Sequence, residues 1–257
     1  MTALTVSGLT FAYGARTVLH QTGFAPLRSG RLTALIGPNA SGKSTLFRLI
    51  AGLLRPAAGT IALGDLDLAT LSPRNRVRRV CFMPQFFAAN AALTVFDVVM
   101  MAHKHLQGWR VTDEDMHSVG TALHDGGIGH LAEAHVSELS GGQSQMVSVM
   151  QALVRKSDVY LFDEPTSALD LRHQLDVLGR IRRAVIERDA VGIVALHDLN
   201  LAARFADHLI LLGQGQVLAE GPPGKVLRDP AIGRTYDVDI EITTGPRKDL
   251  LVHAYAP

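Results

Sequence analysis

The chain has 257 residues, enough for one large domain or two small ones. Hydrophobic residues make up 47% of it, so a sizeable core can form, and the formal net charge of +1 excludes a general electrostatic attraction to nucleic acid or anionic membranes. The single cysteine, Cys81, excludes an internal disulfide and fits a reducing compartment. No secretory signal pattern opens the sequence, and the most apolar long stretch, Ala91 to Ala102, is too short to cross a bilayer.

The first part of the chain has the sequence patterns of several strands and one helix. The segments "LTVSGLTFAYG" and "TVLHQTGFAPL" alternate apolar and polar residues, which predicts antiparallel strands. "RLTALIG" predicts a buried strand, "SGKSTLFRLIAGLL" a helix, and "GTIALGDLDL" and "CFMPQ" two further strands. The basic run "RNRVRRV" is interpreted as a solvated face and not as a nucleic-acid site, because the chain has no basic excess.

The second part predicts helices alternating with buried strands. Phe86 to Lys156 has a mostly helical pattern, and it is followed by the strand "DVYLFDEP", the amphipathic helix "RHQLDVLGRIRRAVI" and the strand "VGIVALHD". "HLILLGQGQVLAEG" predicts a hairpin that turns at Gly213 to Gly215. This alternation favours a mostly parallel α/β sheet, with a helical subdomain inserted between Gln85 and Asp158.

A phosphate-binding loop is predicted between the first buried strand and its helix. The segment "GPNASGKST" fits the pattern G-x-x-x-x-G-K-[ST], in which glycines let backbone N–H groups converge on a phosphate. Lys43 would place its charge near the β- and γ-phosphates, and the Ser44 hydroxyl would bind Mg²⁺. The residues predicted to bind the nucleotide here are Gly37, Pro38, Asn39, Ala40, Ser41, Gly42, Lys43, Ser44 and Thr45.

Two acidic residues follow the strand "VYLF". Asp163 and Glu164 are predicted at its carboxyl end, where open α/β sheets bind their ligands. Asp163 would hold Mg²⁺ through water, and Glu164 would act as general base on an attacking water. Taken alone, the pair would equally fit a solvated acidic helix start.

Two further polar residues follow buried strands. His197 is a candidate to bond the γ-phosphate or the attacking water, although a histidine that only caps a strand would look the same. Gln85 is a candidate to sense water or metal through its amide, and the alternative is an ordinary loop glutamine.

A second anion-binding edge is predicted at "ELSGGQSQMVSVM". Ser140 and two glycines open a helix whose apolar residues recur at helical spacing. The first backbone N–H groups of such a helix are unpaired and point outward, which favours an anion. The chain therefore carries two phosphate-binding edges about a hundred residues apart.

Five motifs in this order resemble the ATP-binding cassette (ABC) ATPases: "GPNASGKST", "MPQ", "LSGGQ", "YLFDEPTSALD" and "ALHDLN". The resemblance covers Leu4 to Ile242. It implies a P-loop NTPase core of the RecA-like type, with an N-terminal antiparallel β subdomain and an inserted helical subdomain. The expected boundaries are 2–242 for the nucleotide-binding domain, about 86–158 for its helical subdomain, and 243–257 for a C-terminal tail.

The resemblance also implies roles for single residues. Tyr13 would stack on adenine unless it is a core tyrosine, Gln85 would be the hinge and a Mg²⁺ ligand beside Ser44 and Asp163, and His197 would be the switch histidine. Two copies would pack head to tail with ATP between them. The residues expected to contact the ATP of the opposite copy are Ser140, Gly141, Gly142, Gln143 and Asp170. Ser144 and Met146 replace arginines that are frequent after the signature, but Lys43, Glu164 and His197 remain, so an active ATPase is predicted.

"ALHDLNLAARFADHLILLGQGQVLAEGPP" and "YDVDIEI" are similar to the ATPases of bacterial importers for ferric siderophores, haem and cobalamin. The branch implies two membrane permease subunits, a soluble substrate-binding protein that acts indirectly, and a peripheral position on the cytoplasmic face of the inner membrane. Ferric siderophore is the first expectation for the cargo. The alternatives to a siderophore importer ATPase are a haem or cobalamin importer ATPase, a soluble ABC ATPase of translation or DNA repair, and a nucleotide-gated structural partner without turnover.

Overall fold

The computed structural model describes residues 2–85, 92–105, 108, 110–247 and 249–257. It contains a four-stranded and a six-stranded sheet, a group of inserted helices and a two-stranded C-terminal hairpin. Positions 86–91, 106, 107 and 109 of the predicted helical subdomain lie outside the described residues.

The four-stranded sheet is antiparallel and contains the N-terminus, as predicted. Its order is β2-β1-β4-β5, with β1 at Ala3–Tyr13, β2 at Arg16–Arg28, β4 at Ala58–Leu63 and β5 at Leu66–Asp67. Leu4, Val6 and Leu9 of β1 are buried while intervening residues are more exposed, so one face of this sheet covers a core.

The six-stranded sheet carries the predicted phosphate edge. Its order is β10-β9-β3-β8-β7-β6, and all neighbours are parallel except the β9–β10 pair. The strands are β3 Arg31–Ile36, β6 Val80–Met83, β7 Val159–Asp163, β8 Val191–Ala195, β9 His208–Gly213 and β10 Gln216–Gly221. Every residue of β7 and β8 is buried, which explains their continuous apolar runs. The carboxyl ends of β3, β7 and β8 meet at one edge.

Helices cover both faces of this sheet. One core lies between the two sheets and includes α1, and the other lies under α5, α6 and α7. The helices outside the inserted segment are α1 Lys43–Ala51, α2 Pro73–Arg79, α6 Leu171–Glu187, α7 Leu199–Phe205, α8 Pro223–Val226 and α9 Pro230–Tyr236.

Within its described residues, the inserted segment contains three α-helices, α3 Val95–His103, α4 Asp113–Asp125 and α5 Gly141–Leu153. Each begins with a capping box, in which the cap side chain and the third helical residue satisfy each other's backbone N–H. Asp115 also accepts hydrogen bonds from His103 and Lys104, at 3.1 and 2.8 Å, and so ties the end of α3 to the start of α4. The Lys104 ammonium and the Thr112 backbone hold the pKa of Asp115 well below its usual range.

The C-terminal residues form a hairpin of β11, Asp239–Thr244, and β12, Leu250–Tyr255. The predicted domain boundary at 242 falls inside β11, and Ile240, Ile242 and Leu250 pack against the core under α7. The segment called a tail therefore includes a strand that packs on the domain.

The prediction of a solvated face for "RNRVRRV" is wrong at Arg76 and Val77, which are partly buried, and at Val80, which is buried in β6. Arg76 of α2 is partly buried, and its guanidinium donates to the carbonyl oxygens of Leu49, Ile50 and Leu68 at 2.7 to 3.2 Å. The last carbonyls of α1 have no partner within their own helix, so a cation is favoured there. The neighbouring Arg74 is exposed as predicted.

The turn between β9 and β10 supports the phosphate loop. Gly215 donates its N–H to the Ser41 carbonyl at 3.1 Å, and its own carbonyl accepts from the Thr22 hydroxyl at 2.6 Å. A Cβ at this glycine would lie 2.1 Å from the Val18 carbonyl oxygen, so only glycine fits between β2 and the loop.

We expect Gly215→Ala to lower the free energy of unfolding by at least about 3 kcal/mol, because strain of about 1 kcal/mol at positive φ adds to a backbone clash. Gly14→Ala is the matched control: Gly14 also has positive φ, +58° against +73°, but no atom lies within 4 Å of its added Cβ. Urea unfolding of both variants measures the difference. Equal losses would show that close approach at Gly215 contributes nothing.

Candidate active site

The predicted phosphate loop connects β3 to α1. Gly37, Ala40 and Gly42 have φ values of +149°, +61° and +107°, which curl the backbone around the Lys43 side chain. A Cβ at Gly37 would lie 2.1 Å from the Leu212 carbonyl oxygen, so β9 packs directly under the loop. The loop has the strand–loop–helix context that its sequence pattern requires.

Lys43 lies almost buried at the start of α1, with 5% of its surface exposed. Its Nζ donates to the carbonyl oxygens of Gly37 and Pro38 at 2.7 and 2.9 Å. Burial lowers the pKa of Lys43, while the nearby Glu164 and Asp163 carboxylates act in the opposite direction. The side chain is thus held over the loop by weak neutral acceptors, which an anionic phosphate can replace.

A cavity of about 550 Å³ opens beside the loop. It brings together residues from four separate predictions: Tyr13, the loop from Asn39 to Thr45, Gln85 and Glu164. Tyr13 is 45% exposed and stands edge-on to Phe11, with 4.9 Å between ring centroids, so it is not a core tyrosine. An aromatic face is therefore available at the mouth of this cavity.

Asp163 ends β7 beside the loop and is 3% exposed. Burial raises the pKa of Asp163, and a hydrogen bond from the Ser44 hydroxyl lowers it. The Asp163 Oδ1 atom is buried without a hydrogen-bond partner in the described part of the chain. A hydroxyl and an orphaned carboxylate oxygen at one point fit the oxygen ligands of Mg²⁺, so the residues present suit that ion.

Glu164 is the centre of a polar cluster. Its Oε2 accepts from the Gln85 amide at 2.6 Å, and its Oε1 lies 2.5 Å from His197 Nε2. The carboxylate is largely buried, with 12% of the side chain exposed, whereas His197 is 43% exposed. Gln85, Glu164 and His197 come from the ends of β6, β7 and β8, as predicted from the sequence.

The backbone of Glu164 is strained, with φ at +53°. Its carbonyl accepts hydrogen bonds from the side chain of Gln145 at 3.0 Å and from Ser167. Gln145 is buried on α5, and sequence reasoning missed it. The available signal was a glutamine directly before the buried run "MVSVM" of the same helix.

The signature segment lies at a different place on the surface. Ser140 caps α5: its hydroxyl accepts from Gln143 N–H at 3.3 Å, and the Gln143 side chain accepts from Ser140 N–H at 2.9 Å. Ser140 and Gly141 are exposed. A cavity of about 750 Å³ includes Ser140, Gly142, Gln143 and Asp170, and among described residues it shares none with the cavity at Lys43.

Asp170 has a local role in one copy of the chain. It caps α6, and its Oδ1 accepts from His173 N–H at 2.9 Å and lies 2.7 Å from His173 Nδ1. These bonds lower the pKa of Asp170. Gly142 lies against the Ala168 carbonyl, so the "SALD" loop and the signature form one surface.

The sequence pattern of the family described as ABC transporter matches residues 25–167. The hemin import ATP-binding protein HmuV of Rhodopseudomonas palustris (strain HaA2) is 37% identical over 249 residues, covering 94% of this chain and 93% of that protein. The chain belongs to the ABC transporter family.

Other similarities agree with this membership. The iron(3+)-hydroxamate import ATP-binding protein FhuC of Bacillus subtilis (strain 168) is 34% identical over 249 residues, covering 96% of this chain and 92% of that protein. A solved structure described as an inward-facing metal-chelate type ABC transporter superposes with a TM-score of 0.82 at 26% identity, over 99% of this chain and 97% of that one. The predicted ABC ATPase fold is confirmed, and the chain is an ATP-binding ATPase of this family.

Tyr236 is a further residue at the ABC site that sequence reasoning missed. Its hydroxyl is buried next to the Gly37 backbone and makes no hydrogen bond of normal geometry within the described residues. Burial raises the pKa of Tyr236 to about 12, and the Gly37 backbone acts in the opposite direction. The end of α9 therefore touches the start of the phosphate loop.

Proposed function

We propose that this chain is the ATP-hydrolysing subunit of a bacterial ABC importer, and that its cargo is an iron complex, with a ferric siderophore as the first choice. The observation that carries the proposal is the cavity where Lys43 of the phosphate loop faces the cluster of Gln85, Glu164 and His197. In this proposal residues 2–242 bind the nucleotide, and about 86–158 form the helical subdomain.

The proposed chemistry assigns each polar group one task. Phosphate oxygens take the place of the Gly37 and Pro38 carbonyls as acceptors for the Lys43 ammonium. Glu164 accepts the proton of the attacking water, and His197 and Gln85 hold its two carboxylate oxygens in place. Mg²⁺, held by Ser44, by Asp163 and by Gln85 through its amide oxygen, would neutralise charge on the transferring phosphoryl group.

The active form that we propose is a head-to-tail dimer with two shared ATP sites. The signature and the phosphate loop line separate cavities in one copy, which supports an arrangement in which the α5 N-terminus of a second copy approaches the γ-phosphate. Tyr13 would stack on adenine. From the second copy, the ATP would be contacted by Ser140, Gly141, Gly142, Gln143 and Asp170.

An apolar groove on the helical subdomain supports a permease partner. A cavity of about 620 Å³ is lined by Met100, Met101, Val111 and three basic residues, and Met101 and Val111 are 51% and 47% exposed. Flexible methionine side chains on an exposed groove suit an incoming helix. In the described part of the chain no helix has both the length and the apolarity to cross a bilayer. The proposal assigns the spanning part to two permease subunits, and this chain to their cytoplasmic face, because similar proteins are import ATP-binding proteins.

Purification of the tagged chain from membranes in mild detergent tests this assignment. We expect a polytopic permease to copurify, and the complex in liposomes to accumulate radioactive iron as a siderophore complex only when ATP is supplied on the side of this chain. Uptake of haem or cobalamin in place of the siderophore would correct the cargo alone. Recovery with ribosomes or DNA, and without a permease, would contradict the importer assignment.

A further inference from the structure

The side chain of Asn200 pairs with the C-terminal hairpin at two points. Its Nδ2 donates to the Val252 carbonyl at 3.2 Å, and its Oδ1 accepts from the Val252 N–H at 2.7 Å. A primary amide has one donor and one acceptor side, so it can bind the edge of β12 as a neighbouring strand would. Asn200 is in the first turn of α7, three residues after His197.

Asp198, the N-cap residue of α7, fixes the same turn through its own hydrogen bonds. Asp198 accepts hydrogen bonds from the N–H groups of Asn200 and Leu201 at 2.7 and 3.0 Å. The backbone from 198 to 201 is thus one rigid unit, and His197 is joined to it directly. Because the His197 side chain is 43% exposed, packing restrains it weakly and its position follows from this backbone.

The α7 helix needs support from outside itself. It has seven residues, and helices of this length are marginal without tertiary contacts. Leu201 and Ala202 of α7 supply part of that support because they are buried in the main core, and the hairpin can supply the rest at the first turn, since Ile240, Ile242, Leu250 and Val252 also pack on this core. The hairpin is therefore anchored on the body of the domain, and Asn200 connects it to α7.

We infer that Asn200 and β12 form a latch that positions His197 against Glu164. Asn200 is a positioning residue: it acts on hydrolysis through the start of α7 and does not touch the nucleotide cavity. The inference rests on the proposed function, because that proposal gives Glu164 and His197 their roles.

The experiment is a double-mutant cycle on the ATPase activity of the complex with its permease. Asn200→Ala removes the amide, and Val252→Pro removes the N–H from the other side, on an outer edge of β12 where proline is tolerated. Each change is expected to lower kcat about tenfold through misplacement of His197, and to leave KM for ATP within about twofold. In the Val252→Pro background, Asn200→Ala should cost less than it does in the wild type, because the 2.7 Å bond is already lost and only the bond from Asn200 Nδ2 to the carbonyl of residue 252 remains to be broken.

Ala254→Pro is the matched control. Ala254 lies two residues further along β12, so its N–H points to the same side as that of Val252, but the Asn200 amide binds Val252 and not Ala254. We expect wild-type kcat for this variant. Thr243→Val, which breaks the 2.9 Å bond to His253 inside the hairpin, should also be neutral.

The outcomes separate the latch from the proposed function. An active wild-type complex in which Asn200→Ala keeps full kcat would overturn the latch alone. Additive losses in the double variant, or an equal loss in Ala254→Pro, would also overturn it, because they indicate general damage to the hairpin. A wild-type complex that hydrolyses no ATP would overturn the proposed function together with the latch.

Discussion

Glu164→Gln is expected to abolish ATP hydrolysis while ATP binding is retained. Glutamine has the shape of glutamate but cannot take a proton from water, and general bases of this kind contribute about 10² to 10⁴ in rate. The bonds that position residue 164 remain possible: the Gln145 contact involves its main chain, and its side-chain oxygen can still accept from Gln85 or His197. The loss should therefore appear in kcat and not in the affinity for ATP.

The variant should also trap the dimer. If ATP joins two copies and its cleavage separates them, a protein that binds ATP without cleaving it accumulates in the joined state. Size-exclusion chromatography with ATP and Mg²⁺ should then show a dimer for Glu164→Gln and a transient dimer for the wild type.

Glu187→Gln is the matched control, because Glu187 is exposed at the end of α6. It should have wild-type turnover and no stable dimer. A Glu164→Gln protein that stays monomeric with saturating ATP would count against the shared-site dimer, and one that keeps normal turnover would remove Glu164 from the role of base.

Lys43→Ala is expected to lower the affinity for ATP by about 10- to 100-fold, because each hydrogen bond to a charged group is worth about 1.5–3 kcal/mol. Turnover should fall further, since negative charge develops on the oxygen between the β- and γ-phosphates in the transition state, and the variant has no preorganised cation to stabilise it. Titration calorimetry with ATP and a phosphate-release assay measure the two effects. Lys156→Ala, at an exposed lysine, controls for the loss of one positive charge.

Mixed dimers extend this test to the signature. A dimer of one Lys43→Ala copy and one Ser140→Arg copy places both defects in the same site, if Ser140 acts on the ATP of the opposite copy. One site then remains intact and about half of the activity should survive. Complete loss in the mixed dimer would contradict the cross-copy geometry.

Much of this site is predictable from sequence because its chemistry is local. The loop from Gly37 to Thr45 is specified by consecutive residues, and Asp163, Glu164 and His197 each follow a continuous apolar strand. The ends of parallel strands meet at one edge, so position along the chain was enough to bring these residues together.

The residues that support the site were not predictable in the same way. Hydrogen bonds join Gln145, Arg76 and Asn200 to partners that lie 19, 26 and 52 residues away in the sequence. These separations follow no helix or strand period, so the sequence pattern does not indicate them. Each satisfies a backbone group that the chain order does not identify: a strained carbonyl at Glu164, the last turn of α1, and the open edge of β12. These unpaired backbone groups can be identified only after the strands and helices are packed together.

The bond from Gln145 to the Glu164 carbonyl has a mechanical consequence. It joins the helix that carries the signature to Glu164, the proposed general base, so a tilt of the helical subdomain against the sheet would move the Glu164 carboxylate away from the attacking water. In a single copy, where nothing fixes the orientation of the subdomain, ATP hydrolysis would then be slow. A permease that fixes this orientation would restrict hydrolysis to the moments when cargo is ready to move.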